Sequence, residues 1–236
     1  MTESPCPVTA TRLGDGPMIS PATPGWTEEH VGRNINGPSL IRRPSWLVGF
    51  SQNYILFFAH HQGKSIRVAT ADDLTGTWQI DATGVVPLEA TPFTHHVASP
   101  DVHVDHDNKR LIMYFHGHGS VPRPPNVEQP TMVTTSSDGR SWSVQERVLG
   151  ESYFRVFDDP CGRVFAVSKA GDMYRGHSML GPFARCGQID RSGRHWAFAR
   201  RGTTLHFIYS RWGDQPEHLL YGTMDMSDAD DWKLGQ

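Results

Sequence analysis

The sequence has no long apolar run, no excess of one charge and few cysteines, and each absence excludes a class of protein. No stretch of about 18 apolar residues is present, so no membrane-spanning helix is predicted. With 25 acidic and 22 basic residues, the net charge is -3, and no basic field for nucleic acid exists. The three cysteines form neither a disulfide framework nor a metal-type spacing, which favours a cytoplasmic location. The first residues also lack the basic and apolar regions of a signal peptide.

Helical periodicity is also absent, and short runs of β-branched and aromatic residues take its place. Four such runs predict buried strands: Tyr54–Ala59, Arg110–Phe115, Arg163–Ser168 and Leu205–Ser210. Each run follows another predicted strand and precedes a third, which ends in a turn with an aromatic residue. These turn aromatics are Trp78, Trp142, Phe183 and Trp232.

The spacing of the turn aromatics, roughly 40–65 residues, is close to the period of a four-stranded propeller blade. We therefore predict an all-β fold, a β-propeller with four recognisable blades. Residues 34–236 form the single propeller domain, and residues 1–33 are a leader or closing segment. A β-sandwich with similar hairpins is the alternative fold.

Polar and ionisable residues recur where the first strand of each repeat begins and the second strand ends. In a propeller these two places lie on the same face, so the side chains converge at the mouth of the central channel. Converging polar groups of this kind predict a ligand-binding site. The predicted substrate-binding residues are Asn36, His60, His61, His96, His116, Arg155, His195, Arg211 and Asp214.

Several stretches of the sequence resemble a known family. NGPSLI, ASPDVHV, YILFFAHHQGKSIRVATADDLTGTW and RLIMYFHG are similar to the five-bladed β-propeller glycoside hydrolases of the arabinanase, β-xylosidase and invertase type. The resemblance runs from about Asn34 to Trp232 and implies a propeller that acts on a glycoside. Because the family has five blades and the sequence supplies four repeats, the last blade is expected to be missing. An open blade edge then predicts a homo-oligomer.

The resemblance also implies three acidic residues on the first three blades: a base aspartate before a proline, an aspartate in an A-P-D-V context that orients the acid, and an acid glutamate in an E-G-P context. Asp101, in SPDV, matches the second, and Glu151, in GESYFRVF, falls where the acid opens its blade, although without the Gly-Pro. Asp101 and Glu151 are therefore the predicted catalytic residues. At the first position the sequence reads Asn36-Gly37-Pro38, so glycine replaces the expected base.

Histidine is abundant, with 13 residues, several of them in clusters. The clusters are His60-His61, His95-His96 and His116-x-His118. Neutral imidazoles on adjacent strand ends suit a divalent metal, a sugar hydroxyl or the capping of a strand. Because two ligands on one strand do not make a metal site, no metal site and no cofactor are predicted. A metal-dependent lyase or isomerase that uses the histidines stays open as an alternative.

Beside that alternative, two functions from different classes are the leading hypotheses. The first is a glycoside hydrolase relative that acts on a small carbohydrate through Asp101 and Glu151 with a substituted base. The second is a degenerate hydrolase that binds carbohydrate without turnover, which Gly37 favours. No nucleic-acid or membrane partner is expected.

Overall fold

The computed structural model of the chain describes residues 9–119, 121–228 and 232–235. Its regular structure is almost entirely β. The helical segments in these ranges are one short helix, α1 (Glu28–Val31), and two 3-10 turns, Leu88–Ala90 and Lys169–Gly171. Over the same ranges, no helix has the length and apolar character that a bilayer crossing requires.

The strands form four antiparallel sheets, and within each sheet the strands pair in sequence order. The first sheet contains β1 (Asn36–Arg42), β2 (Tyr54–Ala59), β3 (Ser65–Ala71) and β4 (Gln79–Ile80), and β5 (Val85–Pro87) also pairs with β3. The second contains β6 (His96–Asp105), β7 (Arg110–His118), β8 (Thr131–Ser136) and β9 (Ser143–Gly150). The third contains β10 (Arg155–Asp158), β11 (Val164–Val167), β12 (Asp172–Gly176) and β13 (Phe183–Gln188). The fourth contains β14 (Gly193–Arg201), β15 (Thr204–Arg211), β16 (Leu220–Asp225) and β17 (Lys233–Gly235).

The four predicted strands are the second strands of the four sheets. The prediction of burial is wrong for part of β15, where buried and accessible residues alternate and Ile208 is exposed. β2 has the predicted bounds, and all its residues after Tyr54 are buried, as expected for an apolar strand covered on both faces. β7 continues past the predicted end at Phe115 to His118, because His116 and His118 still pair with β6. This extension carries two histidines to the end of the sheet.

The aromatic turn between β8 and β9 is stabilised by the side chain of Asp138, which accepts hydrogen bonds from backbone N–H groups of the turn. The carboxylate of Asp138 accepts hydrogen bonds from the backbone N–H groups of Arg140 and Ser141, both at 2.7 Å. The indole N–H of Trp142 donates to the carbonyl of Gly139 at 3.0 Å. The turn therefore fixes the aromatic ring at the start of β9, where it packs against the core.

The first sheet repeats this arrangement with different residues. Asp73 accepts from the backbone N–H and the hydroxyl of Thr75 at 2.8 and 2.6 Å, and the indole of Trp78 donates to the carbonyl of Leu74 at 3.3 Å. Trp78 is buried beneath the turn. An aspartate turn followed by a tryptophan that packs on the core therefore recurs in the first two sheets.

The described residues divide into two compact units. Gly16–Phe154 contains the first two sheets, and the other unit contains the third and fourth. The core of the first unit lies between β2 and β7 and includes Phe57, Met113 and Phe115. Val31 of α1 packs with Trp78 in a second cluster, so the segment before β1 covers the first sheet.

The core of the other unit is built from the third and fourth sheets. Phe157 and Phe165 from the third sheet pack with Trp196 and Phe207 from the fourth. Cys161 and Cys186 are free and exposed in this unit, and Cys6 lies outside the described residues.

Replacing Asp138 with alanine leaves two backbone N–H groups of the turn without their acceptor. We expect the free energy of unfolding to fall by about 1–2 kcal/mol, measured by urea unfolding followed through tryptophan fluorescence. The control is Asp107→Ala in the exposed turn between β6 and β7, which should change the value by less than about 0.5 kcal/mol. Equal losses in the two variants would contradict the role given to Asp138.

Candidate functional site

The inner strands of the first two sheets begin with the same irregularity. The pairing register shifts between Asn36 and Ser39 in β1 and between Ala98 and Asp101 in β6. Each shift is a β-bulge, because the inner strand advances by one residue more than its partner strand. A bulge changes the direction in which the neighbouring side chains point, and here it separates Asn36 and Ala98 from the regular part of each strand.

The two bulges meet at Gly37 and Ser99. Both residues have a positive φ, 53° at Gly37 and 50° at Ser99. A Cβ atom added to Gly37 would lie 2.5 Å from the Cα atom of Ser99, which is too close for any real contact. Glycine is therefore required at this position both by the backbone conformation and by the close approach of β6. The aspartate expected from the family resemblance has no room here.

A cavity of about 510 Å³ opens beside the bulges, at the end of the first two sheets. We call this cavity the histidine pocket. All of its lining residues belong to the unit Gly16–Phe154. They are Asn36, His61, Gln62, Lys64, His95, His96, Ala98, His116, His118, Glu128, Gln129 and Tyr153.

Four of the lining histidines lie close to one another because β6 and β7 pair directly. The Cα partner of His96 is His118, and that of Ala98 is His116. The ring centroids of His95 and His118 are 4.8 Å apart, and those of His96 lie 6.2 Å from both His116 and His118. Within the described residues no group of three or more His, Cys, Asp or Glu side chains has a geometry that could hold a metal ion.

A hydrogen bond orients the ring of His116. Its Nδ1 atom accepts from the backbone N–H of Tyr153 at 3.4 Å, and a backbone N–H can only donate. In the neutral form of His116 the ring proton therefore lies on Nε2. His61 is also oriented, because its backbone N–H donates to the side-chain oxygen of Asn34 at 3.1 Å and its Nδ1 lies 3.2 Å from the amide nitrogen of Asn36.

His96 is half-buried, and its surroundings disfavour the charged form. Burial lowers the pKa of His96, and the positive charges that His118, His61 and His95 acquire on protonation lower the pKa further. A hydrogen bond with the side chain of Gln129, which favours the protonated ring, acts in the opposite direction. The imidazole is therefore held mainly neutral near pH 7, in a form that both donates and accepts one hydrogen bond.

Of the residues predicted to bind substrate, Asn36, His61, His96 and His116 line the histidine pocket. His60 does not line it: its ring packs on the backbone of Gly32, since a Cβ there would lie 2.3 Å from its Cδ2 atom. Burial, followed by the charge of Arg67, lowers the pKa of His60. Adjacent residues point in different directions, so only one of the His60-His61 pair faces the pocket.

The two predicted catalytic residues, Asp101 and Glu151, do not line the histidine pocket either. Asp101 lies beyond the bulge in β6, and its carboxylate is 2.9 Å from Nε2 of His103. The carboxylate of Glu151 accepts from the backbone N–H of Ser152 at 2.9 Å and from that of Glu128 at 3.4 Å. Glu151 thereby orders the loop that presents Glu128 to the pocket.

Four predicted residues belong to the other unit: Arg155, His195, Arg211 and Asp214. The guanidinium of Arg155 donates to the carbonyl of Trp196 at 3.2 Å, and Arg211 pairs with Asp190 at 3.1 Å. Burial, followed by the charge of Arg194, lowers the pKa of His195. Asp214 is half-exposed. Their role in binding stays a prediction.

Several lining residues were not predicted as site residues. His95 and His118 belong to the histidine clusters of the sequence, so the clusters themselves indicated them. Lys64 follows directly after the AHHQG end of β2. Glu128 and Gln129 come from the segment between β7 and β8, which has no counterpart in the other repeats and so no sequence signal.

The variant Gly37→Ala should be more destabilising than a matched glycine substitution elsewhere. Both Gly37 and Gly202 have a positive φ, 53° and 59°, but a Cβ on Gly202 would meet nothing within 4 Å. We expect Gly202→Ala to cost about 1 kcal/mol and Gly37→Ala about 2–4 kcal/mol, measured by urea unfolding. Similar costs would show that Ser99 does not exclude a side chain at position 37.

The variant His118→Gln should raise the pKa of His96, because it removes a neighbouring group that becomes positive on protonation. The pKa is measured from the ring carbon-bound protons of His96 during an NMR pH titration. His106→Gln, in the exposed turn between β6 and β7, provides the control and should leave the pKa of His96 unchanged. An unchanged pKa in His118→Gln would mean that the two rings do not interact.

No family model matches the sequence. An uncharacterised protein of Acanthamoeba polyphaga mimivirus is 28% identical over 233 residues, covering 84% of this chain and 64% of that protein. The chain thus spans less than two thirds of the length of this relative. The relative has no assigned activity to transfer.

Solved structures of glycoside hydrolases are similar to this chain in fold. An exo-β-1,3-galactanase from Phanerochaete chrysosporium with bound β-1,3-galactotriose has a TM-score of 0.64 at 14% identity, covering 85% of this chain and 49% of that chain. A glycoside hydrolase family 43 arabinoxylan arabinofuranohydrolase from Bacillus subtilis, in complex with cellotetraose, has a TM-score of 0.63 at 17% identity, covering 91% and 54%. A family 43 enzyme from Xanthomonas citri with xylose has a TM-score of 0.61 at 10% identity, covering 82% and 70%.

The chain spans about half the length of the galactanase and of the arabinofuranohydrolase. The similarity confirms, for the fold, the resemblance that the sequence motifs indicated. The four antiparallel sheets are blades, and the chain has the β-propeller fold of the glycoside hydrolase family 43 enzymes.

Proposed function

We propose that this chain binds carbohydrate in the histidine pocket and does not hydrolyse it. The fold supports a carbohydrate ligand, because the similar galactanase, arabinofuranohydrolase and Xanthomonas enzyme were solved with a galactotriose, a cellotetraose and xylose. At 10–17% identity, the similarity to these enzymes is evidence for the fold alone and does not extend to activity. The choice between binding and hydrolysis therefore depends on the residues of the pocket.

The chemistry of the pocket suits sugar hydroxyl groups. Neutral imidazoles, the side-chain amides of Asn36, Gln62 and Gln129 and the phenol of Tyr153 supply both donors and acceptors. A volume of about 510 Å³ falls within the usual range for small-molecule sites. The pocket also lies beside two β-bulges, and bulges are common next to active sites, where they direct side chains.

The contact between Gly37 and Ser99 carries the proposal. Hydrolysis of a glycosidic bond needs an acid and a second carboxylate that acts as base or nucleophile. Gly37 occupies the position of the expected base, and Ser99 leaves no space for a carboxylate there. Among the lining residues that the structure describes, Glu128 is the one carboxylate.

The contacts of the predicted catalytic residues also favour binding over turnover. The carboxylate of Asp101 is engaged with His103, and both oxygens of Glu151 accept backbone N–H groups that order a loop. Asp101 therefore has a structural contact within β6, and Glu151 has structural contacts with the loop before β8. Neither contact places a carboxylate within the histidine pocket.

Calorimetry and a hydrolysis assay on the same saccharides test this proposal. With a panel of neutral and acidic oligosaccharides and aryl glycosides, we expect saturable binding and no release of product. His96→Ala should weaken binding by about tenfold, since one good hydrogen bond contributes about 1 kcal/mol or slightly more. His106→Ala, in the exposed turn, should bind as the wild type does.

Two outcomes would contradict the proposal. Turnover by the wild type that disappears in Asp101→Asn would identify the chain as a hydrolase. Binding that is unaffected by His96→Ala would place the ligand outside the histidine pocket.

A further inference from the structure

In the histidine pocket, side chains that can be positively charged greatly outnumber those that can be negatively charged. Six lining side chains carry or can acquire a positive charge: His61, Lys64, His95, His96, His116 and His118. Against them stands one carboxylate, Glu128, and the phenol of Tyr153 is the remaining titratable group of the lining. The two permanent charges, +1 on Lys64 and -1 on Glu128, cancel near pH 7. Every proton that an imidazole takes up then gives the pocket a net positive charge.

Lys64 has a fixed position in the pocket wall. Its ammonium group donates to the backbone carbonyl of His95 at 2.7 Å, which joins the hairpin after β2 to the segment before β6. An ammonium group has three N–H donors, so one bond to the protein anchors the charge and still permits contact with a ligand. This anchor places the lysine beside the pair His95 and His118, whose rings are 4.8 Å apart.

The imidazoles are arranged so that an anion would change their protonation. His118 is a direct neighbour of His96, and His95 lies against His118, so positive charge on either ring disfavours protonation of His96. Burial and these like charges lower the pKa of His96. An anionic group among the rings would offset that repulsion, so binding of an anion would be accompanied by uptake of protons.

We propose that the ligand of the histidine pocket is an anionic saccharide, whose carboxylate or sulfate group is bound by Lys64 and the surrounding imidazoles. The inference rests on the proposed function, since it specifies which carbohydrate the pocket selects. A neutral sugar would satisfy the donors and acceptors but would offer no negative charge to Lys64 and the clustered imidazoles. Ionised acceptors form the stronger hydrogen bonds with these groups.

Matched sugars that differ only at C6 test the inference. Methyl glucuronide and methyl glucoside, and the corresponding galacturonide and galactoside, are titrated into the full chain by calorimetry at pH 5.5 and 7.5. We expect the uronides to bind at least about tenfold more tightly than their neutral counterparts at the lower pH. The affinity for the uronides should decrease as the pH rises, because the imidazoles lose their protons. Repeating the titration in buffers of different ionisation enthalpy should reveal proton uptake with the uronides only.

Variants at two lysines test whether the preference for uronides arises in the histidine pocket. Lys64→Gln should reduce the affinity for the uronides by about tenfold, the loss of one charge-assisted contact. Lys109→Gln, in the exposed turn between β6 and β7, removes the same charge outside the pocket and should leave that affinity unchanged. Equal effects of the two variants would mean that the preference comes from net charge, and would overturn the inference.

The inference and the proposed function fail differently. If the neutral glycosides bind as tightly as the uronides and without pH dependence, the pocket binds carbohydrate but does not select an anion, and only the inference is overturned. If sulfate or acetate binds and no saccharide does, carbohydrate binding itself is excluded. A uronide preference that Lys64→Gln removes supports both.

Discussion

The close approach of Gly37 to Ser99 is the constraint on which the site depends. The inner strands of two blades meet there through matching β-bulges, and no side chain fits between them. The same contact brings Asn36 and Ala98 to one pocket and removes the carboxylate that the family resemblance leads one to expect. The packing of the two inner strands and the absence of a carboxylate at position 37 therefore have the same cause, the glycine at that position.

What remains in the pocket is a set of groups suited to hydrogen bonding and charge. The direct pairing of β6 with β7 places His96 opposite His118, and His95 lies against the same ring. The Nδ1 atom of His116 accepts a backbone N–H, which orients its ring. This crowding, together with burial, lowers the pKa of His96, and an anion among the rings would oppose that effect. The proposed binding of carbohydrate and its preference for an acidic sugar therefore follow from one arrangement of strands.

Much of the fold was predictable because it depends on local patterns. The apolar run of β2 and the repeated aspartate turns with their tryptophans reveal a four-stranded unit without knowledge of distant contacts. The candidate site was only partly predictable. The alternation of His116 and His118 along β7 indicated a shared face, whereas the orientation of His60 away from the pocket depends on Gly32, a contact that no pattern encodes. Glu128 enters from a segment outside the repeat, held by Glu151.

The most direct measurement of the central claim is an NMR titration of the histidine ring signals with an acidic oligosaccharide. The account predicts saturable shifts for His61, His95, His96, His116 and His118. Signals of His106, His177 and His218, which lie outside the pocket, should stay in place. Shifts confined to the second group, or no shift in any ring at saturating ligand, would contradict the assignment of the histidine pocket as the carbohydrate site.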